Sequence, residues 1–432
     1  MYDLILKNAT LPDGRTNMAV GVTDGVIRTV AQGIEQAAGK VIDVIDAKGY
    51  LLSPSFVDPH FHMDAAMSLG QPRLNRSGTL LEGIALWNEL KPKLTFAAMV
   101  ERALAVCRQA LVQGVLHIRT HVDVCDPRLE AVRALLEVRR RMAPYLDIQL
   151  VAFPQDGYLR CPEARVNLER ALDMGVDVVG GIPHFERTMD EGAASIRALG
   201  EIAAQRGLAL DVHCDESDDP MSRHVETLAA ETCRLGLQGR VTGSHLTSMH
   251  SMDNYYVTKL LPLMAEAQLH VIANPLINLT LQGRQDTYPK RRGLTRVPEL
   301  LAAGINVAYG HDCVMDPWYS LGSHDMLDVA HMGLHATQMT SMEQMEESFS
   351  MVTTRGARVM GLQGYGLEVG CNADMVLLQA RSTIDALRLR PPRLYVIRRG
   401  RVIASTPEHR PVLQLEEGTS ELDMTSTAYL QQ

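Results

Sequence analysis

Tyr50-Leu51-Leu52-Ser53-Pro54-Ser55-Phe56-Val57-Asp58-Pro59-His60-Phe61-His62 runs from a short apolar stretch straight into two histidines separated by one residue. In an extended strand, successive side chains alternate faces, so residues i and i+2 project the same way. His60 and His62 therefore present two imidazoles side by side at the end of a strand. Neutral imidazole nitrogens are good ligands for a divalent ion of the zinc or iron kind. One such pair decides nothing, because two ordinary surface or core histidines leave the same trace. The rest of the chain has to supply more ligands.

Outward from this stretch, short apolar strands alternate with long helical segments. Strands are predicted over Leu51–Val57, Leu116–Val122, Asp147–Phe153, Asp177–Ile182, Leu208–His213, Val241–His245, His270–Asn274 and Asn306–Tyr309. Helical periodicity covers Phe96–Val112, Leu129–Met142, Glu163–Asp173 and Gly192–Arg206. Eight strands alternating with helices predict an α/β fold, a (β/α)8 TIM-like barrel whose functional groups gather at the C-terminal ends of its strands. A doubly wound sheet would want a Gly-rich phosphate loop after an early strand, and none is present.

The two ends of the chain have a different texture. Residues 1–50 read as short strands punctuated by Asp13-Gly14 and Asp24-Gly25, which are hairpin signals. Similar short strands return at Met375-Val376-Leu377-Leu378, Leu394-Tyr395-Val396-Ile397 and Val402-Ile403-Ala404. The expected organisation is a small β-sandwich formed from residues 1–50 and 365–412 around a catalytic barrel at 51–364. Residues 413–432 are expected to be a polar, loosely ordered tail.

Composition removes several classes of function. With 432 residues, 46% hydrophobic and 22% charged, the chain is that of a globular protein with a large core. A net charge of −9 argues against a nucleic-acid or anionic-membrane surface. The one local basic run, Lys290-Arg291-Arg292, reads as a solvated or salt-bridged loop. The seven cysteines are scattered with no CxxC spacing, which predicts reduced thiols in a cytoplasmic protein. Met1-Tyr2-Asp3-Leu4 does not begin a signal peptide, and no apolar run approaches the roughly 20 residues that span a bilayer. The 22 methionines read as flexible core filling.

The barrel supplies a test, because catalytic groups should cluster at strand ends. Strand one ends in His60 and His62, and strand five in His213-Cys214-Asp215-Glu216. Strand six ends in Gly243-Ser244-His245, and strand eight is followed by Gly310-His311-Asp312. Each of these residues alone could be an ordinary satisfied polar group. Together they form the series HxH, HxxE, H, D at four of eight strand ends, a set suited to metal binding and proton transfer.

Longer segments carry a resemblance. Gly70-Gln71-Pro72, Ser77-Gly78-Thr79-Leu80-Leu81-Glu82-Gly83, Arg119-Thr120-His121-Val122-Asp123-Val124 and Val151-Ala152-Phe153-Pro154-Gln155 belong to it. So do Asp211-Val212-His213-Cys214-Asp215-Glu216, Leu281-Gln282-Gly283-Arg284, Asp286-Thr287-Tyr288-Pro289-Lys290-Arg291-Arg292-Gly293, Gly310-His311-Asp312 and Asp316-Pro317-Trp318-Tyr319. Almost end to end, the chain resembles the amidohydrolase superfamily, and within it the bacterial cytosine deaminases.

The resemblance implies a hydrolytic deaminase of a free aminopyrimidine base in pyrimidine salvage, a cytoplasmic homo-oligomer. Its metal ligands would be His60, His62, His213 and Asp312. Many relatives hold two metals bridged by a carboxylated lysine at strand four. No lysine lies between Lys93 and Lys259, so one divalent ion is expected, Fe(II) by resemblance or Zn(II). Such an ion lowers the pKa of its bound water toward neutrality and so supplies hydroxide. Glu216 would shuttle protons, while His245 and Asp312 hydrogen-bond the attacking water. Gln155 offers an amide donor and acceptor to the pyrimidine edge, with Leu80, Phe153, Cys313 and Trp318 as further substrate contacts. The base-editing deaminases use a P-C-x-x-C zinc motif, which is absent here.

One departure bears on specificity. The cytosine deaminase pattern has Asp-Asp at strand eight, where this chain has Asp312-Cys313. In the family arrangement the second acid lies beside the C5 edge of the pyrimidine. A small, polarisable thiol there would admit a C5 methyl, making 5-methylcytosine a substrate beside or instead of cytosine. A substitution without consequence is the alternative. Other readings are a deaminase of isocytosine, isoguanine or creatinine, a cyclic amidohydrolase, which usually carries the missing lysine, and a non-catalytic scaffold, which should have lost ligands.

Overall fold

The computed structural model describes residues 2–34 and 41–425. Its centre is a barrel of eight parallel strands, and around the N- and C-terminal segments lie separate smaller sheets. The N-terminal sheet contains β1 (Tyr2–Ala9), β2 (Met18–Thr23), β3 (Val26–Ala31) and β4 (Val41–Asp46). After β5 (Leu51–Pro54) come the barrel strands β6 (Phe56–Phe61), β7 (Val115–Asp123), β8 (Asp147–Phe153), β9 (Val178–Gly181), β10 (Ala209–Cys214), β11 (Val241–His245), β12 (His270–Ala273) and β13 (Asn306–Tyr309). The C-terminal segment adds β14 (Met375–Leu378), β15 (Arg393–Arg398), β16 (Arg401–Ser405) and a hairpin of β17 (Val412–Leu415) and β18 (Gly418–Glu421).

Every residue of β6, β7, β11, β12 and β13 is buried. A parallel sheet is covered on both faces, and this is why its strands read as continuous apolar runs rather than as alternations. The helices predicted from the 3.6-residue period form over Phe96–Val112, Glu130–Met142, Ala164–Asp173 and Met189–Arg206 and pack outside the strands. The barrel closes where Phe61 bridges Asp312: the Asp312 N–H donates to His60 O at 2.8 Å, and the His62 N–H donates to Asp312 O at 2.9 Å. Closure thus seats an acid from the last strand end between two histidines of the first.

The first predicted strand, Leu51–Val57, is in fact two. β5 pairs antiparallel with β14 in the sheet ordered β16-β15-β14-β5, while β6 begins the barrel. The exchange occurs at Ser55, whose N–H donates to Asp374 O, and Phe56, whose N–H donates to Gly114 O. β5 and β6 are both fully buried, so hydropathy cannot show where one ends and the other begins. The two small sheets share a core of Leu4, Leu6, Val20, Ile27, Leu52, Met375, Leu377 and Ile397. Arg398 of β15 ties this sandwich to the barrel, reaching Asp374 and Asp147 at 2.8 Å each.

Residues expected as a loose tail form the β17–β18 hairpin, turned at Glu416-Glu417-Gly418 with Gly418 at φ 129°. Residues 426–432 of that tail lie outside the described residues. Arg291 of the basic run is salt-bridged to Asp286 at 2.7 Å. All seven cysteines are free thiols, and among the described residues no helix is long and apolar enough to cross a membrane.

Candidate active site

At the C-terminal mouth of the barrel the structure brings together side chains from opposite ends of the barrel sequence, His60 and Asp312 among them. His62 Nε2 lies 2.9 Å from His213 Nε2 and 3.4 Å from Asp312 Oδ1, and His60 Nε2 lies 3.5 Å from the same oxygen. A tetrahedral shell with bonds of about 2.1 Å has edges of about 3.4 Å. The two distances to Asp312 Oδ1 match such an edge and the His62–His213 distance is shorter, while Asp312 also falls in a group with His60 and His245 close enough to share one ion. The strand-end turns that aim the side chains inward are in the left-handed region: Asp215 has φ 51°, His245 φ 71° and Asp312 φ 70°. Non-glycine residues persist there only when the surroundings hold them.

The donor set is preorganised. The Ser244 hydroxyl donates to Asp211 Oδ1 at 2.9 Å, so its oxygen is left to accept from His60 Nδ1–H at 3.0 Å. Arg119 anchors the other Asp211 oxygen at 2.9 Å. His60 Nε2 is consequently fixed as the lone-pair nitrogen, and it is buried with no hydrogen-bond partner among the described residues. Burial, with neighbouring imidazoles adding to it, holds His60 and His213 well below the usual histidine range; burial does the same to His62 against the opposing pull of Asp312. Neutral imidazoles are what a cation requires.

Proton-handling groups face this cluster. The amides of Asn274 and Asn278 donate to His245 Nδ1 at 3.2 and 3.1 Å, placing the His245 proton on Nε2, 3.9 Å from Asp312 Oδ2. Burial pushes His245 down to about 3, keeping it neutral. Glu216 stands 3.5 Å from His245 Nδ1; burial, reinforced by Asp312, raises its carboxyl well above the usual range.

A cavity opens on these groups. Its lining has a polar set, His62, His213, Glu216, His245, Asp312 and Gln155, and a largely apolar set, Leu80, Ile182, Ile277, Leu281, Cys313 and Trp318. Cys313 packs in an apolar cluster with Ile277, Leu281 and Tyr319, and burial raises its thiol well above the ordinary range, so it stays uncharged. Leu80 opens the helix Leu80–Leu90, whose Thr79 cap accepts the Glu82 N–H.

The sequence-predicted residues fall into three places. Gln155, Leu80, Cys313, Trp318, Glu216, His245, His62, His213 and Asp312 line the cavity, while His60 lies behind it at 0% exposure. Phe153, expected among the substrate contacts, does not line it. As the last residue of β8, it stacks its ring on His213 at 4.2 Å and so backs the imidazole instead. Ile182, Ile277 and Leu281 were not foreseen. The last two sit four residues apart on the short helix Pro275–Leu281, a helical spacing that the sequence does show. His121 was also missed as a site residue: near the end of β7, its ring lies 4.3 Å from that of His60 and 4.5 Å from that of His213. His121, His60, His62 and His213 form a group close enough to hold one ion. A histidine near the end of the second barrel strand follows the same rule that brings the other strand-end histidines to the mouth.

Residues 43–404 match the amidohydrolase family. The chain belongs to that family. Amidohydrolases are metal-dependent, and this one is a hydrolase of C–N bonds other than peptide bonds. It is similar to the 5-methylcytosine deaminase of Klebsiella pneumoniae, solved with phosphonocytosine, at 42% identity and a TM-score of 0.90, covering 94% of this chain and 99% of that one. It is 30% identical to N-isopropylammelide isopropyl amidohydrolase of Pseudomonas sp. (strain ADP), over 93% of this chain and 97% of the relative. Pterin deaminase of Rhizobium rhizogenes (strain K84 / ATCC BAA-868) is 27% identical, over 94% and 95%.

Proposed function

We propose that this amidohydrolase deaminates a free aminopyrimidine, 5-methylcytosine and cytosine, to thymine or uracil plus ammonia. The observation that carries this is the composition of the cavity lining: Glu216, His245 and Asp312, suited to proton transfer, share it with apolar residues and with Cys313, whose thiol lies 3.6 Å from Asp312 Oδ1. The similarity to a 5-methylcytosine deaminase supports it.

His60, His62, His213 and Asp312 would hold one ion, and three imidazoles with one carboxylate suit either Fe(II) or Zn(II). Bound there, a divalent ion supplies a water acidified to hydroxide at neutral pH. The chain's own residues manage the protons. Glu216 takes the water proton and delivers it to the ring nitrogen next to the amino-bearing carbon as the C–O bond forms. It then carries the remaining hydroxyl proton to the amino group, the C–N bond breaks, and ammonia leaves. A carboxyl whose pKa is raised by burial suits this shuttle. His245 donates from Nε2 to the attacking oxygen, and Asp312 accepts from it. Gln155 pairs with the polar edge of the ring.

Cys313 is assigned to the C5 edge. An apolar pocket discriminates one methyl by about 1–3 kcal/mol, so both bases are turned over with 5-methylcytosine preferred. Ammonia release across cytosine, 5-methylcytosine, isocytosine, isoguanine and creatinine tests the substrate class. Failure on both cytosines with turnover of another heterocycle rejects it. The relatives named for pterin and N-isopropylammelide make another aminated heterocycle the second reading, which the same panel resolves.

A further inference from the structure

Three chain segments meet on one ammonium, one of them at the residue that follows the pocket-lining Gln155. Lys91 directly follows the helix Leu80–Leu90, and its Nζ lies 3.0 Å from Asp123 Oδ2 and 2.5 Å from Asp156 Oδ2. Asp123 ends β7, and Asp156 immediately follows Gln155 beyond β8. Two further residues of the helix bind the same carboxylates: Trp87 Nε1 donates to Asp123 Oδ2 at 2.8 Å, and Asn88 Nδ2 donates to Asp156 Oδ1 at 2.9 Å. Among the described residues, Lys91 is the only cation on either acid. Burial alone would depress this lysine, but the two carboxylates overcome it and keep the ammonium charged.

What the cluster holds is a substrate wall. Gln155 is buried in the pocket lining, and its side-chain amide has no hydrogen-bond partner among the described residues. Its position is therefore set by backbone, and the next residue is fixed three ways: by Lys91, by Asn88, and by the Asp156 N–H donating to Cys125 Sγ at 3.4 Å. The opposite end of the same helix reaches the other wall. Leu80 lines the cavity, and a Cβ on Gly83 would lie 2.2 Å from Trp318.

We propose that Lys91 is a positioning residue for the substrate: by clamping Asp123 and Asp156 to the end of the Leu80–Leu90 helix, it fixes the Gln155 amide at the pocket edge and governs affinity for the heterocycle rather than the chemical step. This rests on Gln155 being a substrate contact, and the variants below separate the two claims.

The experiment is steady-state ammonia release by the full-length, metal-loaded enzyme with cytosine and 5-methylcytosine. Lys91→Met should raise KM about tenfold, the size of one lost ligand hydrogen bond. Its kcat should stay within about threefold of wild type, the pattern of lost uniform binding. Lys91→Arg keeps the charge and should recover most of the loss. The double variant Lys91→Met/Gln155→Ala should be no worse than Gln155→Ala, because both remove one contact. If Lys91→Met leaves two unpaired acids and does not fold, Asp156→Asn keeps size and the Asn88 contact, and should raise KM in the same sense. The clamp is refuted if Gln155→Ala raises KM while Lys91→Met or Asp156→Asn lowers kcat alone or leaves KM unchanged. It is also refuted if the Lys91 and Gln155 effects multiply. An unchanged KM in Gln155→Ala instead removes Gln155 from the substrate site, and the clamp's role in affinity goes with it.

Discussion

The two walls of the pocket are built in different ways. The polar edge comes from strand ends: His62 beyond β6, His213 in β10, His245 in β11, and Asp312 where the barrel closes. The apolar wall comes largely from inserted pieces: Leu80 on a helix after the first strand, Ile277 and Leu281 on a short helix after β12, and Cys313 and Trp318 in the loop after β13. The first wall is tied into the sheet by backbone hydrogen bonds and by the His60–Ser244–Asp211–Arg119 chain. The second is held by side-chain packing, as at Gly83 against Trp318, and by local loop hydrogen bonds such as those from the Trp318 and Tyr319 N–H groups to Asp316. On the proposed function, chemistry would rest on the rigid scaffold and substrate choice on segments outside it.

Substitutions on the polar wall should strike catalysis. Glu216→Gln keeps shape and removes the proton carrier, so kcat should fall about 10²–10⁴-fold while ligand binding persists. A loss confined to KM would move Glu216 out of the chemistry. Beneath the same wall, Asp211→Asn weakens the brace on His60 and should lower metal affinity about 10–100-fold, read by metal content after graded chelation. Unchanged retention would mean that the chain through Ser244 is only structural.

Substitutions on the apolar wall should redistribute substrates. Cys313→Asp places a charge beside the C5 edge and should shift the kcat/KM ratio of 5-methylcytosine to cytosine toward cytosine by about tenfold, within the 1–3 kcal/mol that one methyl commands. An unmoved ratio would remove Cys313 from the specificity site. The smallest effect is expected for Ile277→Val, which should cost about 0.5–1.5 kcal/mol of stability by denaturant unfolding and leave kcat as it was. A large drop in kcat there would erase the distinction between the walls.

The difference between the walls also explains what could be read in advance. His60, His62, His213, Glu216, His245 and Asp312 were legible because strand ends are found by local periodicity and the barrel says that ends converge. His121 obeys the same logic but was absorbed into a longer apolar-looking strand. Ile277 and Leu281 escaped because nothing local says that a short helix after β12 folds back over the mouth. Phe153 ends β8 two residues before the pocket-lining Gln155, and its ring stacks on His213 instead of lining the cavity, a pairing that depends on a strand far along the chain.

The sequence by itself determined the alternation of strands and helices, the ligand-type residues at the strand ends, and the absence of a bridging lysine between Lys93 and Lys259. These are local or compositional facts. Only the tertiary structure decided that Leu51–Pro54 leaves the barrel for the sandwich, because buried strands in two sheets have the same hydropathy. Only barrel closure set Asp312 between His60 and His62, and only packing of distant segments put one lysine between Asp123 and Asp156. The physical reason is the same in each case. Local pattern fixes which way a side chain faces, whereas its partners depend on contacts across the whole length of the chain.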